Sequence, residues 1–188
     1  MSTNLIGVEA PERSEDAIVR GSRLAENTAV ALRDGSTVRV RPVAESDRDQ
    51  LRALLGRLSE QSRWLRFFTR RVNLDKVAGR AATSADGYGV VALAGTPERI
   101  VGHAEYVRES QDRAEIAFEV DEQHHGLGIA PILLAHLVEA GRRNGIGHFV
   151  ATVHASNTPM AHVFRRSGFR VVEIKAGPGL LHFEITLA

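Results

Sequence analysis

A short glycine-containing segment near the middle of the chain has the residue types that phosphate binding requires. It follows a predicted strand that ends at Val120 and reads His125-Gly126-Leu127-Gly128-Ile129-Ala130-Pro131. The two glycines let the backbone turn and approach a ligand closely. Pro131 suits the first turn of a helix, where its missing N–H breaks no hydrogen bond. Free main-chain amides and the positive end of the helix dipole then point at one place, which predicts a phosphate site.

Other interpretations of this segment compete with phosphate binding on the residues alone. The simplest is a tight strand-to-helix connection that holds no ligand. A Rossmann dinucleotide site needs a third small residue where Pro131 stands, and an acid after the next strand, which ends in Val153-His154-Ala155 instead. A Walker A loop is excluded because no Gly-Lys-Ser/Thr sequence follows.

The strands and helices that position this segment are indicated by apolar spacing and turn residues. Strands are predicted at 37–43, 88–94, 100–107, 114–120, 148–153, 169–174 and 180–187. Helices are predicted at about 45–58, 59–68, 74–82, 131–144 and 157–167. This order predicts an α+β fold with a central mixed sheet and helices on both faces.

A change in composition predicts where the compact domain begins. Residues 1–32 contain no aromatic residue and alternate charged with small polar side chains, which is poor material for a core. We therefore expect residues 1–34 to form a flexible tail, with a short helix at 15–26 as an option. The turn signal Asp34-Gly35 places the start of the domain at residue 35, and the domain is expected to run to residue 188.

The overall composition excludes several classes of function. The formal net charge of +1 indicates no strong attraction to nucleic acid or to an anionic membrane. The absence of cysteine removes disulfides, thiolate metal sites and thiol nucleophiles. No metal site is expected, because His124 and His125 are adjacent in a loop and no His-Glu-x-x-His sequence occurs. Without a signal peptide or a long apolar segment, we expect a cytoplasmic protein.

Two segments together resemble the GNAT superfamily of acyl-CoA N-acyltransferases. The loop matches the pattern Gln/Arg-x-x-Gly-x-Gly/Ala, with His125 in place of the usual first residue. The segment from Asn157 to Phe169 is similar to the pattern Asn-x-x-x-x-x-x-Tyr-x-x-x-Gly-Phe. The resemblance covers about residues 37–187. It implies the GNAT fold, with a central mixed and mostly antiparallel sheet, and acetyl-CoA as co-substrate.

Two further segments are similar to a narrower group, the bacterial protein-lysine acetyltransferases that modify acyl-CoA synthetases. They are residues 59–68, which read SEQSRWLRFF, and residues 114–118, which read AEIAF. The likeness implies a protein lysine as acceptor. Members often carry a regulatory module, for which we expect no room here. A small amine or antibiotic as acceptor, and a non-catalytic domain that senses acyl-CoA, stay open as alternatives.

The resemblance also implies which residues hold the coenzyme. The strand before the loop should splay from its neighbour, and the pantetheine arm should pair with its main chain. The pyrophosphate should lie on the loop amides. The implied set of coenzyme-binding residues is Phe118, Glu119, Val120, His125, Gly126, Leu127, Gly128, Ile129, Ala130, Pro131 and Asn157. For Asn157, capping of the following helix is an equal alternative.

The choice of a general base depends on both the strand spacing and the family resemblance. A lysine amine has a pKa of about 10.4, so it needs a base before it attacks, and a partly buried carboxylate is suitable. Strand alternation places Glu115 and Glu119 on one face, and on spacing alone both are candidates. The resemblance favours Glu115, which stands at the position of the family's catalytic glutamate.

Two other positions have open roles. Phe164 stands where the family often has a tyrosine that protonates the leaving thiolate, so no general acid can be named. Because a free thiol has a pKa of about 8.5, water can supply that proton. In the segment 59–68, Ser59, Ser62, Trp64 and Arg66 are candidates for the acceptor side, although helical spacing favours Trp64, Phe67 and Phe68 as core residues.

Overall fold

The fold is seen in a computed structural model that describes residues 27–84 and 87–187. Within these residues one sheet has the strand order β1-β2-β3-β4-β5-β6-β8-β7. Its strands are β1 (Thr28–Ala31), β2 (Thr37–Pro42), β3 (Gly87–Ala94), β4 (Arg99–Arg108), β5 (Arg113–Val120), β6 (His148–His154), β7 (Arg170–Lys175) and β8 (Leu180–Thr186). The helices are α1 (Arg48–Arg57), α2 (Glu60–Phe67), α3 (Leu74–Thr83), α4 (Ile129–Arg143) and α5 (Thr158–Arg165), with 3-10 turns at Glu45–Asp47 and Glu122–His124.

The sheet is mixed and mostly antiparallel, which confirms the predicted α+β fold. Only the β5–β6 pair is parallel among the described strands. One face of the sheet packs on α1 and α3, through a cluster that includes Leu54, Ala78 and Val91. The opposite face packs on α4 and α5, whose buried residues include Leu133 and Phe164. In the described ranges no helix is both long and apolar enough to cross a bilayer.

The sheet begins earlier than the sequence predicts. Residues 28–31 form β1 and pair with β2 in antiparallel register, from Thr28 opposite Val40 to Ala31 opposite Thr37. Leu32 is buried in the core beside this hairpin. The predicted boundary between residues 34 and 35 is therefore wrong, because it falls inside the β1–β2 turn. The rest of the predicted tail, with the helix considered at 15–26, lies outside the described residues.

Helix α2 contributes fewer aromatic side chains to the core than expected. None of its eight residues is fully buried. Phe67 is half-buried and packs against the core cluster formed with α1 and α3, as expected. Trp64 is half-buried and belongs to neither core cluster, and Phe68, which caps the helix in a left-handed conformation with φ 54°, is 44% exposed. The expectation of core positions is therefore wrong for Trp64 and Phe68.

Candidate active site

Strands β5 and β6 separate part of the way along their length. Their parallel register joins Arg113 to His148, Ala114 to Phe149 and Glu115 to Val150, and it ends there. Beyond Glu115, β5 pairs only with β4. Strand β6 continues beside β8 as far as His154. The result is an open gap between the two strands, as the resemblance leads one to expect.

The main chain of β5 presents hydrogen-bonding groups to this gap. Bonded pairs alternate along an antiparallel ladder. The bonds from Asp121 N to Val101 O (2.8 Å) and from Glu109 N to Arg113 O (2.9 Å) show that the odd-numbered β5 residues bond to β4. The N–H and C=O groups of Phe118 and Val120 therefore face the gap. Glu119 bonds toward β4, which removes it from the set whose main chain can pair with a ligand in the gap.

His125 lies against one of these main-chain groups. Its Nε2 is 2.9 Å from the carbonyl oxygen of Val120. The ring therefore stands at the mouth of the gap, close to where the glycine loop begins.

The glycine loop has a backbone that favours glycine at both of its glycine positions. Gly126 has φ 77° and Gly128 has φ 97°, in the left-handed region. Gly128 is the residue before α4 and gives the helix no side-chain cap. The first amides of a helix have no acceptor in a preceding turn. The N–H groups of Ile129 and Ala130 thus point out of the helix N-terminus.

Pro131 is the exception in the predicted phosphate-binding set. It lies at the third helical position of α4 and has no N–H to donate. It can shape the start of the helix but cannot hydrogen-bond a phosphate, so the donors of the loop end at Ala130.

The two candidate bases have opposite environments. Glu115 is exposed, and its carboxylate has no hydrogen-bond or ion-pair partner within residues 27–84 and 87–187. The partial burial expected of the base is therefore not present in the free protein. Glu119 is 5% exposed, with Arg66 Nε 3.6 Å and His103 Nδ1 3.4 Å from its carboxylate oxygens.

The surroundings of Glu119 make it a poor proton acceptor. Burial raises the pKa of Glu119, but the charges of Arg66 and His103 outweigh burial and hold the pKa at about 2. Arg66 also pairs with the buried Glu105, at 3.3 Å. A carboxylate with so low a pKa does not take a proton near neutral pH.

A comparison with known proteins identifies the family. A sequence model of the Acetyltransferase (GNAT) family matches residues 51–169. This chain belongs to the GNAT family of acetyltransferases. An acetyltransferase of Pseudomonas aeruginosa, PA5475, is 27% identical over 166 residues, which are 85% of this chain and 87% of that protein.

Solved structures give the same fold. The GNAT domain of S. lividans PAT is 30% identical, with a TM-score of 0.75 over 85% of this chain and 96% of that one. A cAMP-binding acyltransferase from Mycobacterium smegmatis is 22% identical, with a TM-score of 0.60 over 86% of this chain but only 47% of its own length. The Salmonella typhimurium protein yncA, solved with acetyl-CoA, is 19% identical, with a TM-score of 0.61 over 80% of this chain and 93% of that one.

The second family segment of this GNAT acetyltransferase is placed beside the gap. Asn157 caps α5, and its Oδ1 accepts a hydrogen bond from Met160 N at 3.3 Å. The capping role is thus present, while a bond to pantetheine stays a prediction. Phe164 is 1% exposed and contacts Phe118 and Phe183, with ring centroids 6.0 and 5.2 Å away. It fills the core and has no proton to give.

Helix α2 of this GNAT acetyltransferase bridges the open end of the gap. On the β5 side, Glu122 Oε1 accepts from Ser62 Oγ at 2.6 Å and from Ser59 N at 3.0 Å. Hydrogen bonds from Ser59 and Ser62 lower the pKa of Glu122 to about 2. On the β6 side, the ring of Trp64 lies 4.5 Å from that of His154. The two serines therefore help to hold α2 in place, and a role for them at the acceptor side stays a prediction.

Sequence reasoning missed one residue at the glycine loop. Arg33, assigned to the tail, donates from Nη1 to Gly126 O at 3.1 Å and from its main-chain N to Leu127 O at 3.2 Å. The signal available in the sequence was its place just before the turn Asp34-Gly35, which does not indicate a partner 93 residues away. Among the residues described, no three His, Cys, Asp or Glu side chains are grouped as a metal would require.

Proposed function

We propose that the protein transfers the acetyl group of acetyl-CoA to the side-chain amine of a protein lysine in the cytoplasm, with Glu115 as general base. One observation carries the proposal. An exposed carboxylate, with no partner among the described residues, stands where β5 and β6 separate, next to the main-chain groups that would hold the coenzyme's arm.

The coenzyme is expected to lie in the gap. Its pantetheine arm bonds the main chain of Phe118 and Val120, which faces away from β4, and its pyrophosphate lies on the amides of Gly126 to Ala130. An amide of β5 then polarises the thioester carbonyl. His125 either keeps its place on the carbonyl of Val120 or gives way to an amide of the pantetheine arm.

The reaction is a direct attack on the thioester. Glu115 takes a proton from the lysine ammonium, directly or through water, and the freed amine attacks the carbonyl carbon. The new C–N bond forms as the C–S bond breaks, the electron pair leaves on sulfur, and the nitrogen gives its second proton to water. Because Phe164 has no proton to give, water protonates the thiolate. The products are N-acetyl-lysine and CoA.

Glu115 lies on the face of the sheet where the acceptor would approach. Side chains two residues apart share a face. Glu119 and Glu105, which is opposite Ala117, pair with Arg66 of α2 and Arg80 of α3 on that face. Glu115 thus points to the side opposite α4.

The same face continues across three further strands and ends in exposed apolar residues, which supports a large acceptor. The register places Glu115, Val150, Glu184 and Val172 in one row across β5, β6, β8 and β7. Three strand spacings make this row about 14 Å long. On its outer strand Val172 is 45% and Ile174 is 54% exposed, and no described helix covers them. A small amine has no use for exposed apolar residues three strands away from the carboxylate, whereas a folded protein that presents a lysine can contact them.

The experiment measures release of free CoA thiol from acetyl-CoA with three kinds of acceptor. They are an acyl-CoA synthetase, a panel of small amines and aminoglycosides, and buffer alone. The proposal predicts release with the synthetase and a mass increase of one acetyl group on a lysine of that protein. Release only with small amines would establish the small-molecule alternative. Binding of acetyl-CoA without release for any acceptor would establish a sensor.

A further inference from the structure

The glycine loop contains no side chain with a permanent positive charge. Residues 125–131 include neither lysine nor arginine. The pyrophosphate of a coenzyme carries about two negative charges, which main-chain amides and a helix dipole only partly offset. A cation supplied from elsewhere in the fold would strengthen the binding of this group.

Arg33 lies against this loop. Its Nη1 donates to Gly126 O at 3.1 Å, and its main-chain N donates to Leu127 O at 3.2 Å. Its Cγ and Nε are each 4.0 Å from the position that a Cβ would take on Gly128. The side chain thus extends along the loop to Gly128, the residue that precedes α4 and its unbonded first amides.

The β1–β2 turn holds Arg33 in this position. Leu32, its neighbour, is 7% exposed and belongs to the core cluster. Leu32 N donates to Ser36 O at 2.7 Å, which closes the hairpin. Asp34 Oδ1 accepts from the hydroxyl of Ser36 at 2.6 Å and from its main-chain N at 3.0 Å. These hydrogen bonds from Ser36 lower the pKa of Asp34, so its carboxylate stays ionised to a lower pH than that of an unbonded aspartate.

We propose that Arg33 is the cation of the coenzyme's pyrophosphate site. A guanidinium has five N–H donors in a planar fork, so it can bridge the carbonyl of Gly126 and a phosphate oxygen at once. The inference rests on acetyl-CoA as the donor, which is part of the proposed function. It adds that the β1–β2 hairpin contributes directly to coenzyme binding, through Arg33.

The test compares two donors that differ in the phosphate-bearing half. Acetyl-CoA carries the pyrophosphate, and S-acetylpantetheine does not. For Arg33→Ala we expect the Kd of CoA by calorimetry, and the KM of acetyl-CoA, to rise about 10-fold, within the range for a charge-assisted hydrogen bond. The kcat/KM for S-acetylpantetheine should not change. Arg33→Lys should restore part of the CoA affinity, because it keeps the charge but loses the planar fork.

Controls separate this role from a structural one. Arg33→Ala keeps the main-chain bond to Leu127, so its thermal unfolding should match the wild type. Arg70→Ala removes an exposed arginine in the 68–73 segment and should leave the Kd unchanged. The affinity of the wild type should fall more steeply with salt than that of Arg33→Ala. Equal losses of kcat/KM with both donors, or an unchanged Kd for CoA, would overturn the proposed role of Arg33 but not the proposed function. No CoA binding by the wild type would overturn the proposed function and this inference together.

Discussion

Glu115 lies opposite Val150 at the last register pair between β5 and β6. Up to this pair the two strands share a parallel ladder, and after it they separate. One position thus ends the strand pairing, opens the gap and carries an exposed carboxylate. The main-chain groups of Phe118 and Val120 begin three residues further on, so a ligand that pairs with them has its reactive end close to Glu115.

The glycine loop should not tolerate a side chain before α4. Gly128 has φ 97°, where an L-residue is strained whatever the space around it. We expect Gly128→Ala to lower the free energy of unfolding by about 1–2 kcal/mol and to weaken CoA binding, because the amides that follow shift. Thermal unfolding and calorimetry check both effects. The matched control is Gly56→Ala, in helix α1 with open space at its Cβ and ordinary φ, which should not weaken CoA binding. Unchanged CoA affinity in Gly128→Ala would argue against a phosphate site at this loop.

The ionised side chain of Glu119 should stabilise the folded protein, and this contribution should decrease as the pH falls. Its pKa is lowered from 4.5 to about 2 in the folded protein. A carboxyl whose pKa is lower in the folded protein than in the unfolded chain stabilises the fold. This contribution is complete at pH values above the unfolded-state pKa, and it is lost as pH falls through the folded-state pKa. The contribution corresponds to about 3 kcal/mol near neutral pH.

The variant Glu119→Gln therefore should be less stable than the wild type by about 3 kcal/mol at pH 7. The difference in the free energy of unfolding between the two proteins should narrow as the pH falls from about 4.5 to about 2. Urea unfolding over this pH range measures it. Glu115→Gln, on the same strand but exposed, is the control and should change stability by less than about 0.5 kcal/mol. A constant difference at all pH values would contradict the ion-pair account.

The exposed apolar residues on the outer strand of this sheet face should matter for a protein acceptor only. We expect Ile174→Asp to lower kcat/KM for an acyl-CoA synthetase by about 10-fold, since a charge replaces an apolar contact with the protein acceptor. Activity toward a small amine, where it is measurable, and the KM of acetyl-CoA should not change. Lys175→Gln, which also lowers the net charge by one but on the opposite face of β7, is the matched control. Equal losses of kcat/KM in both variants would show that the change in charge acts generally and not on the docking of a protein acceptor.

The loop and its helix were predictable because their signals are local. Gly126, Gly128 and Pro131 report backbone geometry directly, and apolar spacing outlines α4. The β1 strand was not predictable in this way. Its sequence Thr28-Ala29-Val30-Ala31 is short and weakly apolar, and it is ordered by pairing with β2.

Charge partners were less predictable than the elements. Alternation placed Glu115 and Glu119 on one face, but only the fold shows that Arg66 and His103 reach Glu119 and leave Glu115 exposed. The contact of Arg33 with Gly126 joins residues far apart in the sequence, which no local pattern reports. Aromatic spacing in α2 was right for Phe67, which packs against a core cluster, and misled for Phe68, which is exposed.

The most direct test of the whole account is the rate of acetyl transfer by Glu115→Gln under saturating acetyl-CoA. A general base contributes about 10²- to 10⁴-fold, so kcat should fall by at least about 100-fold while the Kd of CoA stays within about 2-fold of the wild type. Glu45→Gln, which removes an exposed carboxylate distant from the gap, should keep the wild-type kcat. A Glu115→Gln variant that turns over as fast as the wild type would contradict the account.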